Sequence, residues 1–451
     1  MKLGASFFSL GGFVLKHIND LEKKKFIKGM NRKGVELTQV ELKMLSFLFE
    51  QNMLRGEDLY AFLTNHLSIT KKSFGNKMAR WRNYDVVHGQ KVRVGQDGFA
   101  FYIYQLGKWG AEILVNEGMI PESALPIKIQ NGYERKQLSH LFGTKQLVLD
   151  AVLHCEEDKI ESFNPYDKTY HELVNKVEPK FIVPDWVLRS EDRYVYIEVD
   201  SGSERLQVIE NKVKKYIDLS LKYPERNHIV LFSVIEEKDV FFSPSEEQKQ
   251  RQVRIDNMKQ KLYQLHNLLQ NNLSVYVLHS SRASEVIPQL LSGDKPLPVS
   301  YVDMELDTTW SILHQHNEYF AFELNSIADK EVYLHDVDHS LYADRVYEVV
   351  HPLGNFKEIV LFIVLDEGNA QVYERLQYLS TAIDGNHFKQ KVHKILGIYP
   401  DKEQRSNDVI GMLTNNVLYI DNQSLMEGSD QVPVFYRHKT KLLVEETTYE
   451  G

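Results

Sequence analysis

The chain has few of the residues that would indicate a secreted or membrane-spanning protein. Its 451 residues include a single cysteine, Cys155. One cysteine excludes an intrachain disulfide and any zinc site built from several cysteines, and it fits a reducing cytoplasm, the localisation that we expect. No apolar run approaches the roughly 20 residues that a membrane helix needs, so no membrane partner is expected. The first residues lack a signal cleavage site and are expected to remain in the mature protein.

The sequence also lacks the short motifs of several enzyme classes. It contains no glycine-rich phosphate loop, no G-x-S-x-G turn and no cysteine nucleophile. Apolar residues make up 43% of the chain and aromatic residues 11%, which is typical of a folded protein. A chain of 451 residues is too long for one ordinary core. We therefore expect a multi-domain protein, and the order of its helical and strand patterns predicts the α/β class.

Charge is distributed unevenly along the chain. The net charge is −9, yet residues 1–145 hold 22 Lys and Arg against 13 Asp and Glu, a net charge of +9. Residues 146–299 have a net charge of −5 and residues 300–451 one of −13. Polyphosphates attract clustered cations, so only the first part of the chain suits nucleic acid. The acidic last part could instead recruit other proteins.

Residues 36–118 show the order of elements of a winged helix-turn-helix. Apolar residues at helical spacing predict helices over 41–51, 56–65, 71–83 and 108–117. Two β-rich runs, 85–94 and 99–106, flank the turn Gly95-Gln96-Asp97-Gly98, which is typical of a hairpin. We therefore expect residues 1–118 to form an N-terminal helix and a winged-helix domain that binds double-stranded DNA.

The third predicted helix would lie in the major groove, and the hairpin would contact the DNA backbone. Polar residues on that helix and on the hairpin are the predicted DNA-binding residues: Lys71, Lys72, Ser73, Asn76, Lys77, Arg80, Lys91 and Arg93. The alternatives are a solvated helix face and a module that binds protein. The sequence does not specify which bases would be recognised.

Three further regions follow. Residues 119–133 include two prolines and are expected to be a linker. Residues 134–299 alternate between helical and strand patterns and predict a mixed α/β domain, with helices over 135–152, 201–222 and 245–272. Residues 300–451 are expected to form an acidic α/β or α+β domain of unknown role, with strands over 359–366 and 417–420 and a helix over 370–382.

Residues 184–216 carry the strongest chemical pattern. Asp185 opens one short apolar strand, and Glu198 and Asp200 close the next. Because side chains alternate along a strand, Glu198 and Asp200 point to the same face, about 7 Å apart. If the two strands pair, Asp185 can join them. Three carboxylates beside a helix with Lys212 would suit Mg²⁺ or Mn²⁺ and a phosphate.

The order of these segments resembles the replication-relaxation family of mobile-element proteins. It is also similar to mobilisation relaxases that lack a nucleophilic tyrosine and to the PD-(D/E)xK restriction-endonuclease-like superfamily. The residues that carry the resemblance are Pro184, Asp185, Glu198, Asp200, Gly202, Ser203, Glu204, Lys212 and Tyr216, with His140 and Leu141 in the preceding helix. It covers residues 36–290 and leaves the C-terminal third unexplained.

The resemblance implies a fold and an activity for residues 134–299. A nuclease-like domain would use Asp185, Glu198 and Asp200 as metal ligands, with Lys212 as the catalytic lysine. In this sequence Asp200 occupies the position where the superfamily often has its lysine, and Lys212 is a substitute on the next helix. The implied function is a protein of a plasmid, conjugative element or phage that nicks or processes DNA with a divalent metal. The alternative is a non-enzymatic DNA-binding factor in replication, transfer or transcription that keeps the nuclease-like domain as a scaffold.

Overall fold

The computed structural model of the protein describes residues 23–28, 33–94, 99–125, 135–155, 160–165, 182–202, 204–235, 248–263, 265, 272–315, 323–335, 337–350, 357–410, 415–428, 432–440, 443–447 and 449. The chain divides into two compact units. The first comprises Met1–Glu191, Ile197–Ser201 and Ile235–Ser245, and the second comprises Asp192–Tyr196, Gly202–Val234 and Glu246–Gly451. This division does not coincide with the expected boundary near residue 299, because residues 202–234 and 246–299 group with the C-terminal residues.

The described residues of the first unit form a two-stranded ribbon, five α-helices and a small sheet. Its elements are β1 Lys23–Lys28, β2 Lys33–Thr38, α1 Gln39–Gln51, β3 Leu54–Arg55, α2 Gly56–His66, α3 Lys71–Asn83, β4 Val87–Val94, β5 Phe99–Leu106, α4 Lys108–Asn116, α5 Arg135–His154, β6 Glu161–Phe163 and β7 Trp186–Ser190. The antiparallel sheet has the order β3-β5-β4. The helices and strands predicted between residues 41 and 117 are confirmed, with their ends shifted by at most two residues.

The N-terminal helix expected within residues 1–118 does not lie at residues 23–28 or 33–38. These residues form the β1–β2 ribbon, in which Phe26 pairs with Val35 and Lys24 with Leu37. Alternate side chains of a strand face the same way, and both Val35 and Leu37 are buried. One apolar face therefore holds the segment in the extended conformation. Residues 1–22 lie outside the described residues.

Local signals in the sequence account for where α1 begins. The Thr38 hydroxyl accepts a hydrogen bond from the Glu41 amide at 3.3 Å, and the Glu41 carboxylate accepts one from the Thr38 amide at 2.8 Å. This reciprocal capping box satisfies two amides that a helix start would otherwise leave unpaired. Helix α1 follows directly from β2, so the ribbon and the helix are connected without a loop.

Helix α5 packs against the small sheet, through a core formed by Met53, Ile103, Leu138 and Phe142. The Phe101 and Phe142 rings meet edge to face with centroids 6.1 Å apart. The helix predicted over 135–152 is thus confirmed. Part of the expected linker, residues 126–133, lies outside the described residues.

A five-stranded sheet has the order β10-β9-β8-β7-β6. The elements after β7 are β8 Arg193–Asp200, α6 Leu206–Lys222, β9 Asn227–Val234, α7 Gln248–Tyr263 and β10 Leu273–His279. Strands β9 and β10 are parallel, whereas β6 and β7 are antiparallel. Helix α6 begins at Leu206 rather than at residue 201, and Glu204 forms an ion pair with Lys212. Helix α7 is shorter than predicted and ends at Tyr263; residues 266–271 lie outside the described residues.

The second unit continues with a seven-stranded mixed sheet of order β11-β12-β13-β14-β15-β16-β17. Its elements are α8 Ser280–Ser292, α9 Val299–Gln315, β11 Glu323–Ser326, α10 Asp329–Val332, β12 Arg345–Val350, β13 Lys357–Val364, α11 Ala370–Asp384, β14 Val392–Tyr399, α12 Lys402–Asn407, β15 Val417–Asp421, α13 Asn422–Glu427, β16 Phe435–Thr440 and β17 Leu443–Thr447. Strands β13, β14 and β15 are parallel, and the others pair antiparallel. The three elements predicted for this region are confirmed, and it belongs to the α/β class.

Strand β13 is apolar on both faces because both faces are covered. Leu361 and Ile363 pack in one core with α11, while Val360 and Phe362 pack in another with α9. A strand covered on both sides reads as a continuous apolar run, which is why the sequence indicates it so clearly. Two residues after its end, the buried Asp366 carboxylate pairs with the buried ammonium of Lys295.

None of the described helices is long and apolar enough to cross a membrane.

Candidate functional site

Helix α3 has one buried face and one exposed face. It begins after Thr70, whose hydroxyl accepts a hydrogen bond from the Ser73 amide at 3.2 Å. Phe74, Met78 and Trp81 recur at helical spacing, and all three are buried. Because these apolar residues fix one side of the helix against the protein, the polar residues of α3 are left on the opposite side.

The exposed side of α3 and the neighbouring hairpin carry most of the predicted DNA-binding residues. Seven of the eight are exposed; besides Arg80, these are Lys71, Lys72, Ser73, Asn76, Lys91 and Arg93. Gly75 lies among those on α3, and no atom lies within 4 Å of the position that its Cβ would take. The exposed side of α3 therefore carries cations next to Gly75, where no side chain covers the backbone.

The other two predicted DNA-binding residues make contacts within the protein. The Lys77 ammonium pairs with the buried Glu41 carboxylate of α1. The Arg80 guanidinium donates a hydrogen bond to the Gly34 carbonyl of β2 at 2.9 Å. Burial, with the nearby charges of Lys23 and Arg80, lowers the pKa of Lys77. These two side chains hold α3 against α1 and β2, and their role toward DNA stays a prediction.

Sequence reasoning missed a cationic contact on the hairpin. The Arg82 guanidinium lies 4.6 Å from the centroid of the Tyr102 ring, and its hydrogen bond to Tyr102 lowers the pKa of that phenol. Gly89 makes this arrangement possible, since a Cβ there would lie 2.6 Å from Arg82 Cδ and 2.9 Å from Tyr104 Cε1. The sequence signal was a glycine within a strand, which often marks a close approach of another group.

Asp185 connects the start of β7 to β8 and to α5. Its amide donates to the Ile197 carbonyl at 3.0 Å, and its carboxylate Oδ2 accepts a hydrogen bond from the Val199 amide at 2.7 Å. The same oxygen lies 3.3 Å from Nε2 of His140. The carboxylate that the family resemblance assigns to a metal is therefore engaged with the protein on two sides.

Glu198 and Asp200 lie at the end of β8, as predicted, but only 2% and 3% of their surfaces are exposed. Among the described residues, which include Asp185 and both of these carboxylates, no group of three His, Cys, Asp or Glu side chains is arranged to hold a metal ion. The expected convergence of three carboxylates is thus not found. One of them satisfies a backbone amide, and the other two are enclosed. The residues as placed do not fit a three-carboxylate centre for Mg²⁺ or Mn²⁺.

Lys212, the predicted catalytic lysine, belongs to the second unit and makes an ion pair there. Its ammonium lies 3.0 Å from Oε2 of Glu204, and both side chains are about 30% exposed. The Glu204 carbonyl accepts a hydrogen bond from Arg254 at 2.6 Å. Lys212 therefore stabilises the segment that leads into α6, and its catalytic role stays a prediction.

Lys145 is a buried cation that sequence reasoning missed. It lies on the apolar side of α5, seven residues after Leu138, and only 3% of its surface is exposed. Its ammonium donates to the Gln51 carbonyl at the end of α1 and lies 5.4 Å from the centroid of the Trp186 ring. Burial lowers the pKa of Lys145 to about 7, although the Asp58 carboxylate acts in the opposite direction. The sequence signal for this burial was a lysine at a helical position where the spacing predicts an apolar residue.

Taken together, these elements define a mixed α/β multi-domain protein with a cationic helix face in its first unit. Residues 45–235 match the model of the replication-relaxation family, which confirms for this segment the resemblance noted in the sequence. The chain is also similar to Bacillus subtilis PadR, solved in complex with operator DNA, at 14% identity over 40% of this chain and 93% of that chain. Its TM-score of 0.15 is too low to support an argument about the fold. No curated protein matches the chain.

Replacing Asp185 in two ways should separate its hydrogen bond from its charge. Asp185→Ala leaves the Val199 amide without its acceptor, so we expect a loss of about 1–3 kcal/mol in the free energy of unfolding. Asp185→Asn keeps an acceptor oxygen and should lose clearly less. Urea unfolding of both variants with EDTA and with Mn²⁺ measures the difference. Equal losses that appear only when Mn²⁺ is present would instead show that Asp185 acts chiefly as a metal ligand.

Lys145→Met should change how stability depends on pH. The ordinary pKa of a lysine is 10.5, and that of Lys145 in the folded protein is about 7. Between these values the unfolded chain holds the proton and the folded chain does not, so the wild type gains stability as pH rises. Its advantage over Lys145→Met should grow from pH 7 to 10 by at most about 1.4 kcal/mol per pH unit. Urea unfolding across this range is the measurement; with Lys330→Met as the control, parallel curves for wild type and Lys145→Met would contradict the prediction.

Proposed function

We propose that residues 36–118 are a winged helix that binds double-stranded DNA, with α3 in the major groove and the β4–β5 hairpin on the backbone. The observation that carries the proposal is the exposed side of α3, where Lys72 and Asn76 stand opposite the buried apolar side and the exposed Lys71 flanks it. Cations on a helix fixed from behind by apolar packing suit phosphates and base edges. The net charge of +9 over residues 1–145 supports the same partner.

The biological role that we propose is DNA binding in the replication or transfer of a plasmid, conjugative element or phage. The match of residues 45–235 to the replication-relaxation family supports a role in replication. Within that segment, the buried Glu198 and Asp200 and the engaged Asp185 favour a nuclease-like sheet that serves as a scaffold. We further propose that the acidic residues 300–451 recruit other replication or transfer proteins, a role that suits their net charge of −13.

Metal-dependent nicking is the second candidate. The Pro184-Asp185 and Glu198-x-Asp200 pattern lies within the segment that matches the family, and it is the reason to test for cleavage. Hydrolysis of a phosphodiester requires charge neutralisation at the phosphate and an oriented water. The three carboxylates, all within the described residues, do not fit a common metal centre, which favours the scaffold over the nuclease.

Lys72→Ala should weaken binding to duplex DNA of any sequence. Removing one phosphate-binding cation reduces the slope of log K against log salt by about 0.9. Fluorescence anisotropy with a labelled duplex over a series of salt concentrations measures the slope. Lys330→Ala, which removes an exposed lysine in the acidic region, is the matched control. A slope for Lys72→Ala equal to that of this control would contradict the role of α3.

A plasmid assay distinguishes the scaffold from the nuclease. We expect supercoiled plasmid to stay supercoiled with the wild type and Mn²⁺, under conditions where the protein binds it. Relaxed circles that form with the wild type but not with Glu198→Ala would contradict the scaffold role and establish nicking. Lys330→Ala again serves as the control, since it should behave like the wild type.

A further inference from the structure

The β1–β2 ribbon is a basic element that the winged-helix proposal leaves unused. Residues 23–38 hold six Lys and Arg against the single Glu36, a net charge of +5 in 16 residues. The ribbon directly precedes α1, whose capping box begins at its last residue, Thr38. The ribbon therefore adds a high positive charge directly before the proposed DNA-binding domain, and this charge calls for an explanation.

The ribbon is anchored through one face only. Val35 and Leu37 on that face are 1% and 0% exposed, and the Lys24 ammonium on the same face pairs with Glu117 at the end of α4. Alternation along β1 places Lys23, Lys25 and Ile27 on the other face. All three are exposed, Ile27 by 53%. We call this second face, defined by these three residues of β1, the outer face of the ribbon.

One hydrogen bond joins the ribbon to α3. The Arg80 guanidinium donates to the Gly34 carbonyl of β2 at 2.9 Å. Lys23 lies close enough to Lys77 of α3 for its charge to contribute to lowering the pKa of Lys77. At Gly34 the strands approach so closely that a Cβ would lie 1.9 Å from the Phe26 carbonyl oxygen. The Arg80 hydrogen bond to Gly34 therefore joins the ribbon to the helix that carries the exposed cations.

We propose that the β1–β2 ribbon is a second DNA-binding element, in which Lys23 and Lys25 on the outer face bind phosphates of the duplex held by α3. This inference rests on the proposed function of α3. It also assigns Lys77 and Arg80 a positioning role, because their side chains join α3 to α1 and to the ribbon.

The chemistry of the outer face favours a DNA backbone. Lys23 and Lys25 are two residues apart on a strand, which separates them by about 6.8 Å, a distance on the scale of the phosphate repeat along a DNA strand. Glu36 lies directly across from Lys25, and both are exposed. Water and salt screen such a pair, so a phosphate can take the place of the carboxylate. Lysines act as point charges and suit phosphates better than base edges.

The test compares the salt dependence of DNA binding among four forms of the full chain: the wild type, Lys23→Ala plus Lys25→Ala, Lys72→Ala, and the control Lys330→Ala plus Lys402→Ala. Both control residues are exposed and lie in the acidic region. Anisotropy of a labelled 30-base-pair duplex of mixed sequence, measured from about 50 to 200 mM salt, gives the slope. Circular dichroism checks that each variant is folded.

Removal of two phosphate-binding cations should reduce the slope for Lys23→Ala plus Lys25→Ala by about 1.8 relative to the control pair. Lys23→Arg plus Lys25→Arg keeps both charges and should restore the slope of the wild type. A slope unchanged by the alanine pair but reduced by Lys72→Ala would overturn the ribbon proposal and leave the function of α3 standing. If neither variant differs from the control, or if the wild type does not bind duplex DNA, the proposed function fails and the ribbon proposal fails with it.

Discussion

The hydrogen bond from the buried amino group of Lys145 is the interaction on which the arrangement of α1, α5 and β7 depends. This group donates to the Gln51 carbonyl at the end of α1 and lies beside the Trp186 ring at the start of β7. A buried lysine and a buried carbonyl are each costly when unpaired, so the two stabilise each other only while α1, α5 and β7 keep their positions. Beside it, Arg55 donates to Asp58 and to Gln146 of α5. Helix α5 is thereby fixed to the start of α2 as well as to the end of α1. The cationic face of α3 is presented by this fixed group of elements.

How much could be predicted from the sequence depended on whether the determining signal was local. Helix α3 and the β4–β5 hairpin were predicted almost to the residue, because apolar spacing and a glycine-rich turn are both encoded within a few positions. Strand β13 was equally clear, since a strand covered on both faces is apolar throughout. The ribbon was missed because its lysines conceal the alternation of Phe26, Val35 and Leu37, and its shape depends on contacts with α3 and α4. The burial of Lys145 depends on the packing of α5 and is visible in the sequence only as a charged residue on an apolar face.

The carboxylates show a different limit of sequence reasoning. The spacing of Glu198 and Asp200 correctly placed them at the end of a strand, and the family resemblance is confirmed over residues 45–235. Spacing does not show what surrounds a side chain, however. A carboxylate that accepts a hydrogen bond from a backbone amide 14 residues away, as Asp185 does from Val199, has a structural role that no motif reveals. A carboxylate at the spacing of a metal-binding motif can therefore serve to join strands.

Gly75 gives the exposed side of α3 a property of its own. A glycine inside a helix costs about 1 kcal/mol of stability relative to alanine, and nothing in the packing around this one requires the absence of a side chain. A position that is open on its outer side can accept almost any residue without displacing a neighbour. In the DNA-binding role proposed for α3, a single substitution of Gly75 could change which bases the helix accepts while the rest of the fold stays the same. The position is thus a natural place for target preference to diverge among relatives, and a convenient one for altering it by design.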